Sequence, residues 1–382
     1  MTIGYDGKRA FQNKTGLGNY SRSLINILAS NFPQYRYVLF APRQTSLFEI
    51  NSLQNVQAIT PKQFFYKRYP FLWRRSGMVK DIIKSGVEIY HGLSNELPHG
   101  IEKTGVKTVV TIHDLIFERF PGTYNFDERY IHRWKIKHSC KVADAIIAIS
   151  QQTRNDLVDI YKVPANKIFT CYQSCNPIFQ QLISAEEKNA VKAKYQLPDK
   201  YFLFVSSIAP RKNLVTVCNA MVLLKEKLTI PLVVIGNGKK EKELVKTFMI
   251  ENGLADKLII LNDLPQSNDI GFTTAMDFPA IYQQAVALIY PSIFEGFGLP
   301  VLEAMWSRLP VICSSTSSLP EVGGDAVLYF YPIDHEVLSQ HMLDIVNNET
   351  LAEDLRRKGM EQAQHFDAVK HANNIIEVYK SL

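Results

Sequence analysis

No apolar run among the 382 residues approaches the roughly 18 that a helix needs to cross a bilayer, so no helical membrane span is expected. The opening segment, MTIGYDGKRAF, lacks the apolar core of a secretory signal, and the expectation is a cytoplasmic chain. Cysteine is scarce. The five (Cys140, Cys171, Cys175, Cys218 and Cys313) are an odd number and scattered, which reads as reduced thiols and excludes a disulfide framework. Cys171 and Cys175 stand four apart, but no His/Cys cluster completes a zinc set around them. The absence of short repeats and low-complexity tracts excludes solenoid and linker-like readings. Charge of one sign is not pronounced either. A net charge of +6 is mildly basic, compatible with nucleic acid, anionic lipid or a phosphorylated ligand, and selects none of them.

What is present is the composition of a globular protein, 46% hydrophobic and 21% charged, in a chain too long for one ordinary core. Short β-rich runs alternate with amphipathic stretches throughout. The first half offers TIGYD, RYVLF, NVQAI, EIYHG, KTVVTIHD and DAIIAIS, with a helical pattern starting at Tyr20. The second half offers YFLFVSS, PLVVIG, KLIIL, VALIYPS, PVICS and AVLYF. Strands apolar on both faces and separated by helices imply parallel sheets covered on both sides, hence two α/β Rossmann-like domains in tandem. The polar stretch 176–200 holds Pro177 and the run SAEEKNAVKAKY, which puts the domains at residues 1–178 and 179–365. In the tail, Val369, Ala372, Ile375, Ile376 and Tyr379 make one apolar helical face. Ligands of open parallel sheets bind beyond the carboxyl ends of the strands, so the residues just after strands carry the functional signal.

VALIYPS is followed by EGFGLPVLEAM. Gly296 and Gly298 permit a tight turn, Pro300 suits the first turn of a helix, and the amides near Gly298 and Leu299 form a site for an anion. Glu295 and Glu303 flank that turn. Beside a phosphate they would repel it unless they contact something neutral, and a carboxylate is a good acceptor for paired hydroxyls. A nucleotide sugar has hydroxyls on both sides of its diphosphate, so one glutamate could hold the ribose and the other the transferred sugar. The plainer alternative is that Glu295 caps a turn and Glu303 suits the helix dipole.

EGFGLPVLEA, with LIYPS before it and SSLPEVGGDAVLYF after it, resembles the signature of retaining nucleotide-sugar glycosyltransferases of the GT-B architecture. The family 4 group, with many bacterial mannosyltransferases, is the match. The likeness covers nearly the whole chain. It implies two Rossmann-like domains facing across a cleft, with the final helix, 366–382, crossing back onto the first. It also implies that Glu295 contacts the donor sugar and Glu303 the ribose, with Phe297, Gly298 and Leu299 forming the donor turn between them.

Three further stretches fit. TGLGNYSRSL opens a helix after the first strand, where Gly16 and Gly18 would let backbone approach donor phosphate and acceptor; an ordinary turn is the alternative. VVTIHDLIF puts His113 at a strand end, where the family has a histidine near the reaction centre; a buried structural histidine is the alternative. VSSIAPRKNL places Arg211 and Lys212 after the first strand of the second domain, suited to a diphosphate leaving group. Here the chain departs from the commonest pattern: Ser207 occupies the arginine's place, Lys212 matches the lysine, and Arg211 is an extra neighbour. Contacts to the base are expected from backbone near Asn262, Asp263, Leu264 and Pro265.

Residues 64–80, FFYKRYPFLWRRSGMVK, interleave Lys67, Arg68, Arg74 and Arg75 with aromatic rings. They suit an anionic membrane interface or nucleic acid, or a helix burying its rings in the first domain. The resulting expectation is a retaining glycosyltransferase in cell-surface polysaccharide biosynthesis. It would move a hexose, mannose from GDP-mannose, to a hydroxyl of a glycan or lipid-linked glycan, with no metal, cofactor or nucleic acid. The membrane's inner face is a further expected partner. A nucleotide-sugar epimerase on the same fold and a non-catalytic nucleotide-sugar-binding scaffold are the rivals.

Overall fold

The computed structural model describes residues 1–382 and divides them into two compact units. Met1–Gln173 with Asp367–Leu382 forms the first unit, and Ser174–Phe366 forms the second.

The first unit is built on β1 (Thr2–Asp6), β2 (Arg36–Phe40), β3 (Val56–Ile59), β4 (Ile89–Gly92), β5 (Lys107–Ile112), β6 (Ala145–Ala148) and β7 (Ile168–Thr170). These pair in parallel in the order β3-β2-β1-β4-β5-β6-β7. Successive side chains of a strand leave opposite faces, and here both faces are core. Tyr37 and Leu39 of β2 join one apolar cluster, whereas Val38 and Phe40 join the other. The second unit uses β8 (Phe202–Val205), β9 (Leu232–Ile235), β10 (Leu258–Ile260), β11 (Ala287–Tyr290), β12 (Val311–Ser314) and β13 (Leu328–Phe330). Its parallel order is β10-β9-β8-β11-β12-β13. In both sheets two strands distant in sequence, β1 with β4 and β8 with β11, lie side by side. The loops leaving such a pair diverge and open a crevice, the topological switch point where α/β sheets bind ligands.

The helix Ala368–Lys380 belongs to the first unit. Ala372, Ile375, Ile376 and Tyr379 enter its core beside Leu24, Ile25 and Leu28 of the helix Gly16–Asn31. Val369, expected on that buried face, is exposed, and Val378 is buried instead. The Asp367 carboxylate starts this helix by accepting from the amide of Val369 at 2.7 Å. Between the units, the division falls at 173/174 and not at 178/179. Phe179 packs edge-on to Tyr282 at 5.2 Å, which draws the preceding residues into the second unit. Residues 64–80 are not one helix. They break into Phe64–Arg68, Pro70–Leu72, a wide turn at Trp73–Gly77 and Met78–Lys84. Pro70 cannot donate to Tyr66, so the first turn stops there.

Candidate functional site

At the switch point of the second sheet, the loop after β8 brings Arg211 and Lys212, and the loop after β11 brings Glu295. Backbone stitches the loops together: the Ile293 amide donates to the Arg211 carbonyl at 2.9 Å. Asn213, held at φ +58, turns its side-chain amide to the carbonyls of Pro291 (3.1 Å) and Pro332 (2.7 Å). The Arg211 guanidinium also donates to the carbonyl of Phe294.

Glu295 is 7% exposed and collects three donors on one oxygen. The Lys212 ammonium lies 2.5 Å from Oε1, the Arg211 guanidinium 3.3 Å, and the Tyr290 hydroxyl donates to it at 3.0 Å. Burial alone would raise its pKa, but Lys212 and then Arg211 outweigh burial and hold the carboxyl below its ordinary range. Glu295 is therefore an anion, and two cations against one carboxylate leave a single net positive charge. Its backbone is fixed as well: the amide donates to Ser317 Oγ at 2.9 Å, and Ser318 Oγ donates to its carbonyl at 3.0 Å.

Glu303 is different. It lies on the helix Leu299–Trp306 with no cation beside it, and the Tyr282 hydroxyl donates to Oε2 at 3.0 Å. Burial lifts its pKa to about 7, with the Tyr282 bond opposing the rise. The residue as a whole is partly exposed, while its carboxyl is deep enough for burial to dominate its titration. The two glutamates of the motif thus sit in opposite electrostatic states, one ionised between cations and the other poised near neutrality. Between them, Gly298 has φ +119 and precedes a helix start that no side chain caps. A Cβ on Gly298 would come within 2.7 Å of Leu319, so conformation and packing both require glycine there.

Two expectations for donor contacts change. Phe297 is buried with its ring against Phe366 at 5.6 Å, so it can offer a ligand its backbone and not its ring. In the first unit, Gly18 serves packing. A Cβ there would sit 1.9 Å from the Asn13 carbonyl oxygen, and its amide already donates to Thr15 O (2.9 Å) and Asn13 Oδ1 (3.1 Å). Gly16 faces open space, as an approach route for a ligand requires. Ser207 is exposed just past β8, and the turn at Asn262 and Asp263 follows β10, with Asn262 accepting from the Gly236 amide at 2.7 Å.

His113 is the first residue past β5. Its Nε2 bonds the Leu93 carbonyl at 2.8 Å, its amide donates to Asn95 Oδ1 at 3.0 Å, and Tyr20 packs against its ring at 4.7 Å. Burial, partly opposed by the Leu93 bond, lowers its pKa to about 4, so the imidazole is neutral at ordinary pH. A carbonyl partner requires Nε2 to carry the proton, which leaves Nδ1 as an acceptor. Sequence reasoning missed Tyr290, Ser317 and Ser318. Tyr290 ends the strand next to the motif and the serines lie in the SSTSSLP run, so adjacency was the available signal.

Comparison with known proteins identifies the family. Residues 15–176 match the Glycosyltransferase Family 4 model and residues 186–362 match Glycosyl transferases group 1. An O-antigen chain mannosyltransferase B of Escherichia coli is 32% identical over 298 residues, 77% of this chain and 74% of that one. A serotype-specific mannosyltransferase WbdA of E. coli is 29% identical over 306 residues, covering 78% of this chain but only 36% of its own length. Among solved structures, Anabaena Alr3699/HepE in complex with UDP-glucose superposes with a TM-score of 0.76 at 15% identity, over 100% of both chains. A glycosyltransferase from Rickettsia africae gives a TM-score of 0.74 at 16% identity, over 100% of this chain and 98% of its own. The chain belongs to the family 4 type of glycosyltransferase, built from two Rossmann-like units in the GT-B manner.

Proposed function

We propose that this glycosyltransferase moves a mannosyl residue from GDP-mannose to a hydroxyl of a growing cell-surface glycan, retaining the anomeric configuration and needing no divalent metal. The observation that carries the reading is the meeting of Lys212, Arg211 and Glu295 beside an uncapped helix start at the switch point of the second sheet. The donor diphosphate lies along that helix start, and Lys212 and Arg211 stabilise the charge that grows as the C1–O bond to phosphate breaks. The acceptor oxygen bonds to C1 on the same face, and its proton passes to the departing phosphate oxygen. No protein carboxylate takes part as a base. Glu295 contacts the transferred sugar and Glu303 the ribose. His113, neutral with Nδ1 as an acceptor, takes a hydroxyl hydrogen bond from a sugar. With an α-linked donor in excess EDTA, NMR is expected to show an α-linked product at an undiminished rate. A β product, or activity abolished by EDTA and restored by magnesium, contradicts the reading.

Glu303 makes donor binding pH-dependent. A nucleotide sugar has no phosphate proton near neutrality, so a titration near pH 7 reports the protein. Donor affinity is expected to fall as pH drops through about 7 and Glu303 gains a proton, and the step should vanish in Glu303→Gln. Stability runs the other way. A carboxyl raised from 4.5 to about 7 by folding contributes stability below 4.5 that is lost as pH rises through 7. Fluorescence titration of wild type and variant at several pH values checks the binding step.

For a lipid-linked acceptor, an anionic membrane is the fitting partner surface. No helix is long and apolar enough to cross a membrane. Trp73 and Arg74, however, are not available to lipid. The Trp73 indole is buried and bonds Asp81 at 2.8 Å, and Arg74 is paired internally. Phe64 (85% exposed), Phe65, Tyr69 and Phe71 remain, beside Lys67, Arg68 and Arg75. The helix Phe126–Val142 adds Phe126 (81% exposed), Tyr130 and Trp134, and Arg75 lies over the Trp134 ring at 5.2 Å. Every exposed phenylalanine and tryptophan of the chain falls in these two segments. Binding to anionic vesicles is expected to exceed binding to neutral ones by about 1 kcal/mol per engaged cation and to weaken with salt. Equal, salt-insensitive sedimentation with both vesicle types removes the membrane from the account.

A further inference from the structure

The switch point of the first sheet holds a cluster that the reading above leaves without a role. Asp6 ends β1, and its carboxylate takes the Arg74 guanidinium and the Lys8 amide, the latter at 3.0 Å. Arg74 also reaches Glu96 Oε2 at 3.2 Å, and the Lys135 ammonium meets the same oxygen at 3.1 Å. Both cations therefore grip one oxygen of Glu96, and Oε1 is left with no partner in the protein. The Glu96 side chain is 23% exposed, so that oxygen can be reached.

Two buried polar groups beside it have unspent hydrogen-bonding capacity. Arg74 is nine-tenths buried, yet its Nε has no partner. The Tyr90 hydroxyl, on fully buried β4, also has none, and it lies in the electrostatic reach of Asp6, Arg74 and Glu96. Buried donors left without partners cost of order 1–3 kcal/mol each, so such a cluster normally faces water or a ligand.

The loop that carries Glu96 is also fixed with care. A Cβ on Gly92 would fall 2.1 Å from the Glu96 carbonyl oxygen, so only glycine lets the chain fold back there. Leu93 and Asn95, in the same loop, hold the ring and the amide of His113. Leu97 is tied to Ser139 Oγ at 3.0 Å. One short loop thus fixes both His113 and Glu96.

We infer that Glu96, oriented by Arg74 and Lys135, is the carboxylate that binds hydroxyls of the acceptor sugar. The Lys8 ammonium also lies in the electrostatic reach of Asp6 and Glu96, so the cluster is not short of cations. The oxygen left open, however, is a carboxylate's, which accepts from hydroxyls and repels a phosphate. This inference rests on the reading of the chain as a sugar transferase and adds the first-unit residues that select the acceptor.

Saturation-transfer NMR on the full-length chain tests it, with methyl α-D-mannoside as the probe sugar and GDP in the same tube as reference. The wild type is expected to saturate the sugar ring protons. A hydrogen bond to a charged group is worth about 1.5–3 kcal/mol, so Glu96→Gln should weaken sugar affinity about tenfold or more and leave the GDP signal unchanged. Lys135→Gln alters a partly exposed side chain and spares the fold, and a several-fold weakening is expected. Equal sugar affinity in wild type and both variants, or no sugar signal from the wild type, overturns the inference. Loss of the GDP signal from the wild type counts instead against the donor site of the second unit, and the sugar signal stays readable without it.

Discussion

Lys212→Ala is expected to lower kcat by roughly 10²–10³, about 3–4 kcal/mol of transition-state stabilisation, with little change in donor KM. The ammonium is held at 2.5 Å from Glu295 and 3.2 Å from the Tyr290 hydroxyl, so it is in place before the donor arrives. Charge on the diphosphate grows only as the glycosidic bond breaks, which puts the loss in kcat. Lys212 also neutralises a buried carboxylate, so the variant should melt at a lower temperature. The double change Lys212→Ala with Glu295→Gln should recover melting temperature but not rate, which separates chemistry from folding. Arg211→Ala should lose less, because its guanidinium is shared between Glu295 and the Phe294 carbonyl. Ser207→Arg should partly rescue it by restoring the family's common arrangement from an exposed position just past β8. If Arg211→Ala equals wild type in kcat/KM, Arg211 does no more than brace the donor loop.

Glu295→Gln and Glu303→Gln are expected to fail in different ways. Glu295 offsets one of the two positive charges of Lys212 and Arg211 in the ligand-free chain. Its loss should spare or tighten nucleoside diphosphate binding while turnover falls by about 10²–10³. Glu303 has no cation to release. Removing its charge should weaken free nucleotide and nucleotide sugar alike by roughly tenfold or more, the worth of a hydrogen bond to a charged group. Calorimetric titration with GDP and with the donor gives both constants. Equal losses of GDP affinity in the two variants contradict the division of labour.

The parallel sheets were legible because strands such as AIIA and LVVI are apolar at every position, a pattern that only burial on both faces explains. The turn into the helix Leu299–Trp306 was legible because Gly298 and Pro300 each answer a local constraint of the backbone. What sequence could not show was pairing across distance. Asp6 and Arg74 are 68 residues apart, and residues 64–80 looked like one amphipathic patch until Trp73 and Arg74 turned inward. Nor could spacing tell that Gly18 packs on Asn13, or that Glu295 and Glu303 would differ in ionisation. Those facts depend on which side chains the sheet edges bring together. The helix Phe126–Val142 escaped notice for a related reason. Its exposed rings at Phe126, Tyr130 and Trp134 follow helical spacing, which reads as core until the burial is seen.

The central claim is that the switch point of the second unit holds a nucleoside diphosphate. Thermal unfolding of the full chain with GDP, UDP, ADP and dTDP in turn tests it most directly. One nucleotide, GDP on the present account, is expected to stabilise the chain by about 2.7 kcal/mol at 100 times its dissociation constant, and Glu303→Gln should reduce that gain. A chain that unfolds at the same temperature with and without each of the four nucleotides contradicts the claim.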